Sequence, residues 1–341
     1  MGSMVAIGVD THRDEHVAVA LDGCGCELGS LAVSADASGY ARLWQWASDL
    51  GVPCFAVEGT GSYGAGLTRF LVAAGGEVFE CERPRRRERR QGKSDLIDAK
   101  AAAKRLLTGE RLPRPRGGGV RDDLRLLLIQ RRGAVAARTD ALNQLHGITV
   151  TLPEGLRCRL RGLHGKRLAD AAMRLRPRQG ESAAQIAVLH GIGRRAQQLS
   201  SEITDVDEQL EQITAELVPD LLQECGVGPV CAAQLVVSSG DPRRMASEAS
   251  FAALAGTSPV QASSGLHQRH RLNRGGDRQL NRALHVIALH RVRWHPETAA
   301  YYQRLRNNGK TPREARRCVK RQLARYFHQR LQTTLKPALT Q

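Results

Sequence analysis

Hydrophobic positions in the first hundred residues come in short runs that alternate between two periods. Val5-Ala6-Ile7-Gly8-Val9 is an unbroken apolar run ending at Asp10, and Val17 to Leu21 and Leu28 to Val33 follow with turn residues between them. Runs of this length, bounded by Gly, Asp and Ser, predict strands. Tyr40 to Leu50 shifts to a helical period. Pro53 to Val57 predicts a fourth strand, ending at Glu58. Residues 63–74 carry Leu67, Phe70 and Leu71 on one helical side, and Glu77 to Cys81 predicts a fifth strand. A helix from about Ser94 to Leu107 closes the series, stopped by Gly109 and Pro113. The order βββ-α-β-α-β-α predicts an α/β unit: a mixed five-stranded sheet with flanking helices.

Pro113 to Gly119 (Pro-Arg-Pro-Arg-Gly-Gly-Gly) has the composition of a linker. A long helix is predicted from about Arg121 to Leu145, and 147–183 shows no clear period. A heptad seam then runs through Leu189, Ile192, Ala196, Leu199, Ile203, Val206, Leu210, Ile213 and Leu217. It fits a coiled-coil hairpin, a dimer seam or an amphipathic helix on a globular core. Gly191 and Gly193 weaken its start. Beyond 219 the pattern is mostly helical, with apolar helices after Cys225 and over Phe251 to Ala255, a polar glycine-rich stretch over 257–276, and basic helices at the end. The expected domains are 1–115, a helical connector with coiled coil over 116–218, and a mostly α C-terminal domain over 219–341.

Charge changes this picture. The formal net charge is +17, and arginine supplies 44 of the 51 basic residues. Residues 83–116 hold thirteen Lys/Arg against four Asp/Glu, and 269–330 hold seventeen against three. Two separated basic blocks imply polyanion-binding surfaces, and guanidinium forks bind phosphate oxygens bidentately. The eight cysteines are scattered and read as reduced thiols. No apolar run reaches membrane-spanning length, and no secretory leader is expected, since Met1-Gly2-Ser3-Met4 lacks a basic region followed by an apolar stretch. A cytoplasmic protein without a membrane partner is expected.

Candidate chemistry centres on carboxylates. Asp10 and Glu58 end two apolar strands, and functional side chains collect at strand carboxyl ends in open α/β sheets. Asp95 and Asp98, spaced i and i+3, share one face of the last helix. A helix packed across strands one and four brings all four together. Such a cluster repels itself until a hard divalent cation is bound, and paired cations can clamp a phosphodiester. Each carboxylate alone could equally cap a turn or a helix.

These residues carry a resemblance. Ile7-Gly8-Val9-Asp10-Thr11-His12, Val57-Glu58-Gly59-Thr60-Gly61-Ser62-Tyr63 and Lys93-Ser94-Asp95-Leu96-Ile97-Asp98-Ala99 resemble the DEDD domain of the insertion-sequence 110 transposases, a RuvC-like, RNase H-like fold. Gly226-Val227-Gly228-Pro229, the run from Phe251 through Ser263-Ser264-Gly265, and Asn273-Arg274-Gly275-Gly276-Asp277 resemble the family's C-terminal region. The resemblance implies a DNA transposase or recombinase with Asp10, Glu58, Asp95 and Asp98 binding Mg²⁺ (or Mn²⁺). Ser264, with Ser263 as an alternative beside it, attacks the DNA phosphate to form a phosphoserine link. Activation of that serine by the carboxylate-bound metal would require the two domains to meet, between subunits, and a dimer or tetramer is expected. The implied partners are DNA and a structured guide RNA from the element itself, in a bacterial, nucleoid-associated setting. Arg85, Arg86, Arg87, Lys93, Arg269, Arg271, Arg274, Arg278 and Arg282 are the expected nucleic-acid contacts. The turn at Gly226 and Gly228 is similar to that of a helix-hairpin-helix, where backbone N–H groups can hold a phosphate.

Three other readings make different predictions. A metal-dependent junction nuclease would use the carboxylates without a covalent intermediate. A sugar kinase of the actin-like fold shares the Ile-Gly-Val-Asp strand but needs further glycine-rich phosphate loops, which this chain does not place after a strand. A non-catalytic nucleic-acid-binding protein would tolerate loss of Asp10 and Ser264 alike.

Overall fold

The computed structural model describes residues 3–81, 94–109, 112–116, 118–240, 247–261, 270–271, 273 and 275–335. The chain divides into two compact units, one made chiefly of residues 1–118 and the other of 119–238 and 248–336.

The first unit holds β1 (Met4–Thr11), β2 (Glu15–Leu21), β3 (Glu27–Ser34), α1 (Ala37–Leu50), β4 (Val52–Glu58), α2 (Ala65–Ala73), β5 (Glu77–Cys81) and α3 (Asp95–Leu107). The sheet order is β3-β2-β1-β4-β5. β1, β2 and β3 pair antiparallel, while β1–β4 and β4–β5 pair parallel. This is the mixed five-stranded sheet with flanking helices that the sequence predicts, and it fits an RNase H-like domain. Strand alternation sorts the two faces. Val5, Ile7 and Val9 join Phe55, Val57, Leu67 and Leu71 in the larger core, against which Tyr40 and Trp44 of α1 pack. Ala6, Val19 and Leu21 point the other way and pack on Ala99 and Ala103 of α3. Helix α2 starts later than the sequence indicates, because 59–64 form a tight turn. Gly59 adopts φ 66° there, and its carbonyl accepts from the N–H groups of Ser62 and Gly64.

Gly8 sets how closely α3 approaches the sheet. A Cβ at this position would lie 1.9 Å from the Ala99 carbonyl oxygen and 2.3 Å from the Ala103 nitrogen. Only a residue without a side chain lets the helix backbone rest on β1 in this way.

The second unit begins with α4 (Val120–Thr151), followed by α5 (Glu154–Leu160), α6 (Gly165–Met173) and α7 (Ala183–Leu217). α4 continues past the predicted end, and α5 and α6 occupy the stretch in which the sequence shows no period. Leu189, Ile192, Ala196, Ile203, Val206 and Leu210 of the seam are buried, whereas Leu199, Ile213 and Leu217 are half-buried and Thr214 is buried in place of Ile213. Arg131 of α4 makes a two-pronged pair with Asp207 of α7, and Gln130 donates to Glu202. Leu145 of α4 shares a core with Leu189 and Ile192 of α7, so the two long helices run antiparallel. Gly193 is buried with a Cβ position only 2.8 Å from Met173 Cγ, which admits α6 against α7.

The unit closes with α8 (Pro219–Leu222), α9 (Pro229–Ser239), α10 (Glu248–Leu254), β6 (Val260–Gln261), β7 (His270–Arg271), α11 (Arg278–Trp294), α12 (Pro296–Asn307) and α13 (Pro312–Thr334). Its organising contact is a buried arginine. Arg291 donates to the Cys225 carbonyl at 2.8 Å and to Glu224 at 2.7 Å, and lies over the rings of Tyr326 and Phe327. Burial alone would raise the Glu224 pKa. Bonds from Tyr326, Arg330 and Arg291 outweigh that and hold it below the usual carboxylate range. Among the described residues no helix is long and apolar enough to cross a membrane.

Candidate metal centre and nucleic-acid surfaces

Asp10 and Glu58 follow the last pair of the parallel β1–β4 ladder, Val9 and Val57, on adjacent strands. The Thr11 hydroxyl donates to the Glu58 carbonyl at 2.8 Å and ties the two strand ends together. Alternation places Asp10 on the same side as Ala6 and Gly8, and Glu58 on the same side as Ala56. Both are therefore on the face that α3 covers. On α3, Asp95 lies one turn before Ala99, which packs with Ala6 of β1. Asp98 lies one turn before Ala102, which packs with Ala56 of β4. Asp95 reaches the end of β1, where it meets Asp10 and His12, whereas Glu58 and Asp98 are not part of that group of ligand atoms.

Asp10 is 3% exposed and Glu58 is 9% exposed. Ser94 occupies the cap position of α3 without a side-chain bond, and Asp95 is the first helical residue. Its carboxylate reaches instead to His12. The hairpin after β1 turns back through the bond from His12 N to the Glu15 carbonyl, which brings the imidazole over the strand end. His12 Nε2 lies 3.3 Å from Asp10 Oδ2 and 3.2 Å from Asp95 Oδ1. This nitrogen is enclosed and, despite those distances, is aligned for a hydrogen bond with neither oxygen. One ligand atom each from Asp10, His12 and Asp95 fall within 4.8 Å of one another. Hard oxygen donors with one imidazole nitrogen fit a divalent cation. Below Thr11, on the opposite face, His16 is fully buried and stacks on Tyr40. Burial lowers its pKa.

The C-terminal motif residues prove largely architectural. Gly276 has φ 90°, and a Cβ there would lie 2.3 Å from the Leu254 carbonyl, to which Asp277 N donates. The Asp277 carboxylate caps α11 by accepting from Gln279 N and Leu280 N, and takes a 2.6 Å bond from the Ser238 hydroxyl. Asn281 donates to the Ala255 carbonyl and accepts from the buried Lys320 ammonium, joining α10, α11 and α13. Gly226 (φ 82°) backs onto His290, whereas Gly228 faces open space at the start of α9. Arg278 and Arg282 are exposed one turn apart on α11. Ser263, Ser264, Arg269, Arg274, Arg85, Arg86, Arg87 and Lys93 lie outside the described residues. So does the side chain of Arg271, whose backbone is in β7. β6 and β7, which flank the serine segment in sequence, pair antiparallel.

Residues 7–151 match the DEDD transposases of the IS110 type, and residues 220–303 match the transposase family IS116/IS110/IS902. The chain belongs to the IS110 family of transposases. A 43.6 kDa protein of insertion element IS110 from Streptomyces coelicolor is 37% identical over 128 residues, 34% of this chain and 31% of that protein. A 42 kDa protein of insertion element IS900 from Mycobacterium paratuberculosis is 26% identical, with 92% of each chain covered. The matched stretches contain Asp10, Glu58, Asp95 and Asp98 of this transposase, and its Asp277. The residue that sequence reasoning missed is His12. It stands in the motif after Asp10, and its place two residues after a strand-end carboxylate was the available signal.

Proposed function

We propose that this transposase cuts and rejoins DNA strands through two cooperating parts. Asp10, Glu58, Asp95 and Asp98 hold Mg²⁺ or Mn²⁺, and Ser264 is the nucleophile. The observation that supports this reading is the approach of Asp95 on α3 to Asp10 at the end of β1, with Ala102 of α3 packed on Ala56 of β4 two residues before Glu58. A divalent cation bound there supplies charge neutralisation at a scissile phosphate and makes an oxygen nucleophile easier to deprotonate. The carboxylates hold position because Thr11 fixes the strand ends and Gly8 fixes the helix. In the covalent step the Ser264 Oγ–P bond forms as a backbone P–O bond breaks. The serine proton leaves with the departing sugar oxygen, and a hydroxyl of another strand reverses the exchange at the new junction.

The exposed arginines of α11 and the basic segment before α3 suit phosphate backbones. Base pairing to an element-encoded RNA would leave sequence choice to nucleic acid while the protein reads backbone shape. Assembly as a dimer or tetramer is part of the reading. The antiparallel packing of α4 and α7 supports assigning the seam to a helical hairpin within one chain. The domain limits 1–115, 116–218 and 219–341 and nucleoid association on DNA belong to the same proposal.

The test is a denaturing gel of protein with labelled element-end DNA, its flanking transcript and Mg²⁺. Label should remain on wild-type protein and vanish with Ser264→Ala. Nicks without any adduct would support a junction-type nuclease and remove Ser264 from the reaction. An adduct lost in Ser263→Ala instead would move the nucleophile by one residue.

A further inference from the structure

We infer that His12 is itself a ligand of the carboxylate-bound cation, so that the centre is a mixed nitrogen–oxygen site. This rests on the metal-site reading above and adds a fifth protein donor to it. Three features carry it. The first is distance. Adjacent ligands of an octahedral ion bound at about 2.1 Å stand about 3.0 Å apart. His12 Nε2 stands 3.3 Å from Asp10 Oδ2 and 3.2 Å from Asp95 Oδ1, close to such an edge on both sides.

The second is alignment. A histidine serving only as a clamp between two carboxylates would aim its N–H at one of them. His12 Nε2 is enclosed and near both, yet meets hydrogen-bond geometry with neither. The third is placement. The imidazole is carried by a short hairpin closed by the His12 N to Glu15 O bond, and Asp10, two residues earlier, is fixed in the sheet. The nitrogen and one carboxylate therefore come from a single rigid stretch, with Asp95 brought in by α3.

An imidazole donor suits Mn²⁺ and later transition ions better than Mg²⁺, which prefers oxygen and retained water. His12 accordingly biases the centre toward Mn²⁺ relative to an all-carboxylate site.

The experiment uses the full chain with Mn²⁺ alone as probe. Mn²⁺ binding is followed by electron paramagnetic resonance, with pulsed detection of coupling to ¹⁴N. Wild type should bind Mn²⁺ with a nitrogen coupling. His12→Gln should still bind, about tenfold or more weakly, without that coupling, and Mg²⁺ should displace Mn²⁺ from it at a smaller excess. Wild-type binding with no nitrogen coupling would overturn the inference while leaving the carboxylate site standing, as would a coupling that persists in His12→Gln. Absence of wild-type binding, or binding undiminished in Asp10→Asn, would overturn the metal-site reading and this inference with it. The wild-type spectrum decides ligation even if the variant folds poorly.

Discussion

Gly8→Ala is the sharpest mechanical test of the centre. The added methyl would start 1.9 Å from the Ala99 carbonyl oxygen, and contacts of a Cβ do not persist below about 3.0 Å, so α3 must retreat by at least 1.1 Å. Both obstructing atoms are backbone, so no side-chain rotation relieves the clash. Overpacking of this kind costs about 1–3 kcal/mol of stability. The larger effect falls on the site, because Asp95 and Asp98 ride on the displaced helix while Asp10 and Glu58 stay with the sheet. Metal sites tolerate ligand shifts of about 0.2 Å, and a 1 Å misplacement costs about a hundredfold in rate. Gly8→Ala should therefore fold, melt a few degrees lower, bind Mn²⁺ weakly and lose about a hundredfold in DNA cleavage. Gly23→Ala is the control, since a Cβ there meets nothing within 4 Å. Gly8→Ala with Mn²⁺ affinity and cleavage within twofold of wild type would refute the view that helix approach sets the site.

Asp98→Ala should abolish metal-dependent cleavage while leaving the nucleic-acid dissociation constant at fixed salt unchanged, and cleavage at a normal rate would remove Asp98 from the centre. Replacing both Arg278 and Arg282 by Ala should lower the slope of log affinity against log salt by about 2, because each phosphate contact contributes about 0.9, and an unchanged slope would place the duplex elsewhere. Glu224→Gln should cost about 3 kcal/mol at pH 7 by leaving Arg291 buried without its anionic partner. The wild-type carboxylate is depressed in the folded state, so its contribution is full above about pH 4.3 and lost as pH falls through the lower folded value. Urea melts of the two proteins should converge in acid, and a constant gap between pH 7 and pH 3 would contradict the assignment.

The sheet was legible because its strands are apolar runs closed by turn residues, and the strand-end places of Asp10 and Glu58 were legible because these two residues close two of those runs. His12 was not, since its contact with Asp95 joins residues 83 positions apart and depends on how the hairpin curls. The short helices α5 and α6 escaped notice because seven and nine residues give too few turns for a period to emerge. The Asn273 to Asp277 motif was visible as part of the family resemblance, but the part its glycine and aspartate play in the path of the chain was not. Contacts such as Asp277 N to the Leu254 carbonyl carry no local signature.

The antiparallel pair α4 and α7 sets a length scale. Thirty-two residues of α4 extend about 48 Å at 1.5 Å per residue. Residues 154–178, at the closed end of that pair, carry eight Lys/Arg against two Asp/Glu. A duplex rises about 3.4 Å per base pair, so the rod spans about 14 base pairs. On the proposed function, a charged tip on an arm of that reach would meet a phosphate backbone about a helical turn and a third from one held at the arm's base.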